Sequence, residues 1–553
     1  MAKINIFALG GLDENGKNSY VIEIDDSIFL VNAGTKVPIS STNGVDTLIP
    51  DFSYLEKNKN RIKGVFITDG KNESFSALPW LLMKIKGLKI YCSPFTKFLI
   101  LDRISKYKIG HEEYEVISIT SEKITFKETE VKSIYLAGSI AGVYGYNFET
   151  EDGAILILLN FIVGSLNIYG TTNLEKIKNS VESPKGIHTL LIDSGRANYR
   201  GKAIDKIDVT PLIESIFYKT ENDSRIIIGA IDEEMALLQE VLDLALKYER
   251  PVAVYGRTYG QLVDLIRKIK YEGNFLQMPE FIDYKNVQDH KNAVILVTST
   301  NERIYQRFLR ITEDNDVYLK LNDSDKVIMI APPINGLEVL HALTLDEIAR
   351  ITPHVVDITE NEYYRIRPAR EDIFMTVKEL KPQYFIPLQG LYRYLVVSSE
   401  IAALAGVNRS NTIVLQNGKI ASFIDGKLFS QKGTIKQVGE VIIDGFGIGD
   451  ISPEVIKERE ALARDGVITI NSLIDYKTKK LQGELQIASS GIISKENKNQ
   501  IHEIITSITY QAFLENEKIN LKDVQEKIKK QVRKKMFKLY DKEPIVVTVF
   551  YEI

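Results

Sequence analysis

Residues 65–77 read Val-Phe-Ile-Thr-Asp-Gly-Lys-Asn-Glu-Ser-Phe-Ser-Ala, so Asp69, Lys71, Glu73 and Ser74 crowd into one short stretch. Asp69 and Glu73, together with Asp193, suit a hard cation such as magnesium or manganese. The lysine between the first two opposes that use. An ammonium has no lone pair to give a metal, and zinc favours imidazole nitrogen or thiolate sulfur. The rest of the chain is poor in those donors. Cys92 is the single cysteine, which excludes a disulfide framework and any Cys-based metal site. His111, His188, His290, His341, His354 and His502 contain no His-x-His or His-x-x-x-His pair. Scattered histidines of this kind are ordinarily surface or satisfied core residues.

The stretch sits where a strand must end. Val65, Phe66 and Ile67 are continuous apolar residues, Gly70 marks a turn, and Ala77, Leu78, Trp80, Leu81 and Leu82 open a helix. Before it, residues 4–34 read as paired strands with a turn at Gly10-Gly11 and another at Asp25-Asp26. From about residue 184, strands alternate with helices at 209–219, 232–247 and 258–269, the pattern of βαβ units on a parallel sheet. Residues 382–388 form a last strand, and 412–423 a hairpin. Residues 424–450 are glycine-rich and read as a linker. An α+β unit follows, with helices near 453–464, 496–515 and 521–540 and a closing strand at 545–551.

Composition places this order in a soluble class. Of 553 residues 44% are hydrophobic and 26% charged, with no apolar run long enough to cross a bilayer. The opening residues read as a strand, not a signal peptide. A cytoplasmic location is the expectation. The net charge is −4, so any contact with nucleic acid must come from a local patch. Lys527, Lys529, Lys530, Arg533, Lys534, Lys535 and Lys538 make one such run, on a helix whose inner face carries Val524, Ile528 and Val532. A solvated helix face is its plainer explanation.

The framework segments together resemble the ribonuclease J family, in the β-CASP branch of the metallo-β-lactamase superfamily. The resemblance rests on residues 8–18, Ala-Leu-Gly-Gly-Leu-Asp-Glu-Asn-Gly-Lys-Asn, and on Gly-Val-Asp and Ile-Pro-Asp-x-Ser-Tyr within 44–54. It extends to Pro387-Leu388-Gln389-Gly390-Leu391-Tyr392-Arg393 and to 444–450, Asp-Gly-Phe-Gly-Ile-Gly-Asp. It implies a metallo-β-lactamase αββα sandwich with an inserted β-CASP α/β domain and a C-terminal α+β domain. It implies two zinc ions, but the matching ligand positions have changed. Asn32 stands for an aspartate, and Asp69, Lys71, Glu73 and Ser74 for His, His, Asp and His. Gly138 stands for a histidine, Asn160 for the bridging aspartate and Gln389 for the last histidine. Asp193 is kept, and Arg365-Ile366-Arg367 replaces Ser-Gly-His. The family's phosphate-binding Thr-Gly-Ser-Gln-Gly-Glu becomes Thr298-Ser299-Thr300-Asn301-Glu302-Arg303. Thr300, Asn335 and Gly336 remain as phosphate contacts, with weak or no recognition of an RNA 5′ end expected.

These replacements set the expectations. No metal cofactor and no catalytic residue are expected. Lys71 and Arg367 would supply the positive charge of the lost metals and pair with Asp69 and Glu73. Arg365, Arg367 and Arg370 would touch RNA phosphates, or else pair with Glu371 and Asp372. The domains would run 1–205 and 367–436 for the sandwich, 206–366 for β-CASP, 437–450 for a linker and 451–553 for an oligomerisation domain. The chain would be an inactive subunit in RNA processing and decay. Its partners would be an active paralogue or itself, as dimer or tetramer, with RNA or the ribosome as further partners and no membrane. Two other readings are a metal-dependent exo- or endoribonuclease with a non-standard site, and a scaffold outside RNA metabolism.

Overall fold

Strands buried on both faces dominate the first 200 residues, because the chain covers each of them twice. Ser19–Ile24, Ser27–Val31, Gly153–Leu158 and Ile187–Asp193 carry no exposed residue. The computed structural model describes residues 2–36, 45, 47–120, 123–127, 129–268, 270–271, 274–444, 447–448, 453–478, 480–492, 498–514 and 520–553. It places those strands in two sheets. One has eight strands, in the order Lys427–Thr434, Lys419–Ile424, Lys3–Gly10, Ser19–Ile24, Ser27–Val31, Ile62–Phe66, Leu88–Cys92 and Tyr114–Ser118. The other has six, in the order Tyr384–Leu388, Ile187–Asp193, Gly153–Leu158, Val143–Thr150, Glu130–Leu136 and Lys123–Thr125.

Aromatic residues join the sheets face to face. Phe66 of the first sheet lies 5.2 Å from Tyr146 and 5.5 Å from Phe148 of the second, ring centre to ring centre. Phe29 lies 5.5 Å from Phe148. Each such pair adds about 0.5–1.5 kcal/mol beyond its buried area. Helices Leu78–Lys84 and Pro94–Ser105 flank the first sheet, and Arg370–Leu380 and Tyr392–Leu404 the second. The result is the αββα sandwich of the metallo-β-lactamase fold.

Between these segments the chain builds a third sheet of six parallel strands. Their order is Phe281–Ile282, Val252–Tyr255, Val294–Ser299, Ile226–Ile231, Lys326–Ile330 and Val355–Asp357. Met235–Lys247 and Asn301–Thr312 are among its crossover helices, and apolar clusters cover both faces. This is the βαβ alternation expected from residue 184 onward.

The chain divides into two units, residues 1–39 with 47–441, and residues 40–46 with 442–553. The second holds a three-stranded sheet in the order Leu481–Ser490, Val467–Ile474 and Ile545–Glu552. Ile468, Ile470, Val546 and Phe550 on one face pack against Ile505, Ile528 and Val532 of helices Lys498–Leu514 and Leu521–Tyr540.

Two expectations are corrected. The hairpin is not at 412–423. It joins Lys419–Ile424 to Lys427–Thr434 across Asp425-Gly426, both with positive φ (51° and 71°), the geometry of a tight primed turn. Much of the stretch read as a linker is therefore sheet, and Glu440–Asp444 and Gly447–Ile448 are strands as well. Residues 44, 46, 445–446 and 449–450 of the framework segments lie outside the described residues.

Candidate functional site

Five of the expected positions follow strand ends on one rim of the sandwich. Asn32 follows Ser27–Val31, Asp69 follows Ile62–Phe66, Asn160 follows Gly153–Leu158, Asp193 closes Ile187–Asp193, and Gln389 follows Tyr384–Leu388. Parallel pairing sets these ends side by side: Val31 opposite Phe66, Leu158 opposite Ile192, Asp193 opposite Leu388. Asn32, Asn160 and Gln389 turn into the left-handed region, with φ of 65°, 52° and 56°. Asparagine tolerates that conformation better than most residues, and glutamine is strained in it.

The side chains at this rim form a buried hydrogen-bond network. Asn32 binds Thr68 twice: its Oδ1 accepts from the Thr68 amide at 2.9 Å, and its Nδ2 donates to Thr68 Oγ1 at 2.9 Å. Asp69 accepts from Thr68 Oγ1 at 2.8 Å, from the Lys71 amide at 2.9 Å and from Asn160 Nδ2 at 3.0 Å. Gln389 Nε2 donates to Asn160 Oδ1 at 3.3 Å and to Glu73 Oε1 at 3.2 Å. Ser74 is buried on the same loop, and its amide donates to the Lys71 carbonyl at 2.9 Å.

The two cations take carboxylate partners other than those expected. Arg367 grips Asp193 with Nε at 2.9 Å and Nη2 at 3.0 Å. Asp193 also accepts from the amides of Gly195 (2.9 Å) and Asn160 (3.2 Å). Lys71 Nζ lies 3.6 Å from Glu234, which stands at the start of the β-CASP helix Met235–Lys247. Asp69 and Glu73 are engaged by amides instead, so their expected ion pairs with Lys71 and Arg367 are corrected. Burial alone would lower the Lys71 pKa, but Glu234, Glu73, Asp69 and Glu233 together hold it above its ordinary value. Arg365 donates to the Pro332 carbonyl at 3.1 Å, and Asp372 accepts from the Ala203 and Ala369 amides. Arg367 therefore binds neither Glu371 nor Asp372.

The sequence reading missed one side of this site. Glu233 accepts from the Asn72 amide (2.8 Å) and Asn72 Nδ2 (2.7 Å), joining the sandwich loop to the β-CASP domain. Burial, then the charge of Asp232, raise the Glu233 pKa to about 8. Burial likewise raises Asp232 to about 6. The signal was available: three consecutive acidic residues follow directly on the buried strand Ile226–Ile231.

The cleft between the two domains holds about 680 Å³. Nine carboxylates line it against five Lys and Arg side chains, so its walls are net acidic. The phosphate loops open on it. Thr300 Oγ1 makes no hydrogen bond among the described residues, and Glu302 lies in the first turn of the helix behind it. The Gly336 amide, with φ 96°, donates to Glu338 Oε2 at 2.8 Å. Asn335 bonds Arg393 and Tyr394 at 3.3 Å each. A carboxylate thus already takes the Gly336 amide, and Glu302 adds a negative charge to the helix turn beside Thr300.

The site does not suit the two zinc ions that the resemblance implies. Among the described residues, no group of three or more His, Cys, Asp or Glu side chains is placed to hold a metal ion. Amides, a hydroxyl and a glycine are poor replacements for imidazole. Gly138 leaves no room for its histidine: a Cβ there would lie 2.6 Å from Val143 Cγ2 and 2.8 Å from the Asn160 carbonyl oxygen. His188 and His341 are satisfied elsewhere, His188 by Thr189 (2.8 Å) and His341 by Asp357 (3.1 Å).

Comparison with known proteins supports the same framework in both units. Residues 223–348 match the family model described as "Ribonuclease J, beta-CASP domain", and residues 454–553 match "Ribonuclease J C-terminal domain". Ribonuclease J2 of Bacillus subtilis (strain 168) is 28% identical, covering 100% of this chain and 99% of its own length. Uncharacterized protein MG423 of Mycoplasma genitalium is 26% identical, covering 100% of both chains. Ribonuclease J 2 of Staphylococcus aureus (strain NCTC 8325 / PS 47) is 25% identical, covering 100% of this chain and 98% of its own. A sandwich interrupted by a β-CASP sheet, a matching C-terminal domain and end-to-end likeness to these relatives lead to one assignment: the chain belongs to the ribonuclease J family.

Proposed function

We propose that this chain is a catalytically inactive member of its family, serving RNA processing and decay as a structural or RNA-binding partner of an active ribonuclease J. The RNA setting is supported by the family and by relatives named as ribonucleases. The observation that carries the inactivity is the placement of Lys71 and Arg367. Each puts a buried cation among the positions that would surround two metal ions, and each is held there by a carboxylate, Glu234 or Asp193. A third positive charge beside such pairs would be repelled, and displacing either cation would strand its carboxylate. The cleft is also a poor RNA channel, since its net acidic lining repels phosphates.

The test joins metal content to turnover. Elemental analysis of the purified chain is expected to find no stoichiometric zinc or manganese. An assay on 5′-monophosphorylated RNA with added manganese is expected to show no cleavage. Stoichiometric metal, with turnover abolished by Asp69→Ala, would falsify the proposal.

A further inference from the structure

We infer that the outer face of the C-terminal helix Leu521–Tyr540 is a binding surface for the phosphate backbone of RNA; this deepens the RNA reading above and rests on it. The helix has eight Lys and Arg residues and two acidic ones, Asp523 and Glu526. Val524, Ile528, Val532 and Met536 recur every four residues and are buried against the domain core, which fixes the rotation of the helix. Lys530, Arg533, Lys534, Lys535 and Lys538 are consequently presented to solvent, and no acidic residue falls between Glu526 and Asp541. Phe537 stands among them, 53% exposed, where an unstacked base would meet a ring face.

Helix electrostatics explain only part of this run. Cations near a helix C-terminus are favoured by the macrodipole, but that benefit fades beyond the last turn. Lys530 lies more than two turns from the end. The charge is local as well: residues 451–553 carry 18 Lys and Arg against 15 Asp and Glu, in a chain of net charge −4. A membrane surface or a protein groove would need the apolar stripe of the helix, and that stripe is buried in the core. A polyanion needs only the charged face.

The experiment is fluorescence anisotropy of a labelled 20-nucleotide poly-U RNA with the full chain, between 50 and 200 mM KCl. Arg533→Glu/Lys534→Glu is expected to weaken binding at least about tenfold and to flatten the salt dependence, since each lost phosphate contact lowers the slope by about 0.7. Lys432→Glu/Lys436→Glu, an equal charge change on exposed residues of the first unit, is expected to leave affinity within about twofold. The milder Arg533→Gln/Lys534→Gln guards against misfolding and is expected to show an intermediate loss. Equal effects of the helix and control variants, or no effect of the helix variant, overturn the inference while leaving an RNA role intact. A wild-type chain that binds no RNA also overturns it, and the subunit proposal then stands or falls on association with an active relative. A helix variant that keeps RNA but loses such a relative assigns the face to an acidic protein, which overturns it too.

Discussion

Arg367 and Asp193 form a pair that is worth little net and costly to break. Asp193 is fully buried and Arg367 nearly so, and the two make parallel hydrogen bonds at 2.9 and 3.0 Å. Burial opposes the guanidinium charge, but Asp193, then Glu73, raise the Arg367 pKa above its ordinary value. Arg367→Met would leave the aspartate unpaired and is expected to destabilise the chain by about 3–5 kcal/mol. Arg367→Met with Asp193→Asn should recover most of that loss. Thermal unfolding of the four proteins in this double-mutant cycle measures the coupling. Additive losses would mean that the pair is not an energetic unit. At this scale the sequence revealed which residue types stand at the site but not whom they hold. Lys71 and Arg367 were legible as cations in a cleft. Their partners were not, because Glu234 lies 163 positions from Lys71 and Asp193 lies 174 from Arg367, and only the folded rim brings them together. Gly138 was legible as a lost histidine; the carbonyl and the valine that would obstruct its return were not.

Two loops clamp the β-CASP domain to the sandwich. One carries Lys71 and Asn72 after strand Ile62–Phe66, the other Glu233 and Glu234 after strand Ile226–Ile231. The Ala236 amide and the Ser139 carbonyl (3.0 Å), and Ser139 Oγ and the Glu233 carbonyl (3.0 Å), tie them further. Glu233 gives the clamp a pH dependence of definite sign. Its folded pKa, about 8, lies above the ordinary glutamate value, so the folded state binds the extra proton. Its contribution to stability is full below the ordinary value near 4.5 and is lost as pH rises through about 8. Glu233→Gln keeps an acceptor for both Asn72 bonds and never ionises. It is expected to be more stable than the parent at pH 9, by about 1–3 kcal/mol, with the difference gone near pH 4. Unfolding midpoints across that range check this, and a difference that grows toward low pH would refute it. The elements themselves were largely readable in advance. Continuous apolar runs ending in polar turns marked the parallel strands, and four-residue spacing marked the helix Leu521–Tyr540. The hairpin at Asp425-Gly426 was not, because a glycine in a tight turn and a glycine in a linker look alike until strands pair on either side.

The whole molecule includes a C-terminal unit with a core of its own. Its sheet buries one face under two helices, and apolar side chains of the other face reach solvent. Val547, Tyr551 and Leu473 lie on that second face, 40%, 61% and 43% exposed. Val467, Ile545 and Val549 alternate with the inward residues and share the same side. An apolar sheet face of this kind is stabilised when a second surface covers it, and symmetric self-pairing is the commonest solution. The proposed partner role gives this unit a use as an assembly surface. The full chain is therefore expected to be a dimer or larger by gel filtration with light scattering. A chain ending at Val441 is expected to be monomeric. Val547→Lys/Tyr551→Lys should have the same effect as the truncation, with the circular dichroism of the full chain unchanged, since both side chains point away from the domain core. A full-length chain that stays monomeric at high concentration, and draws down no active family member from lysate, would leave the partner role without support.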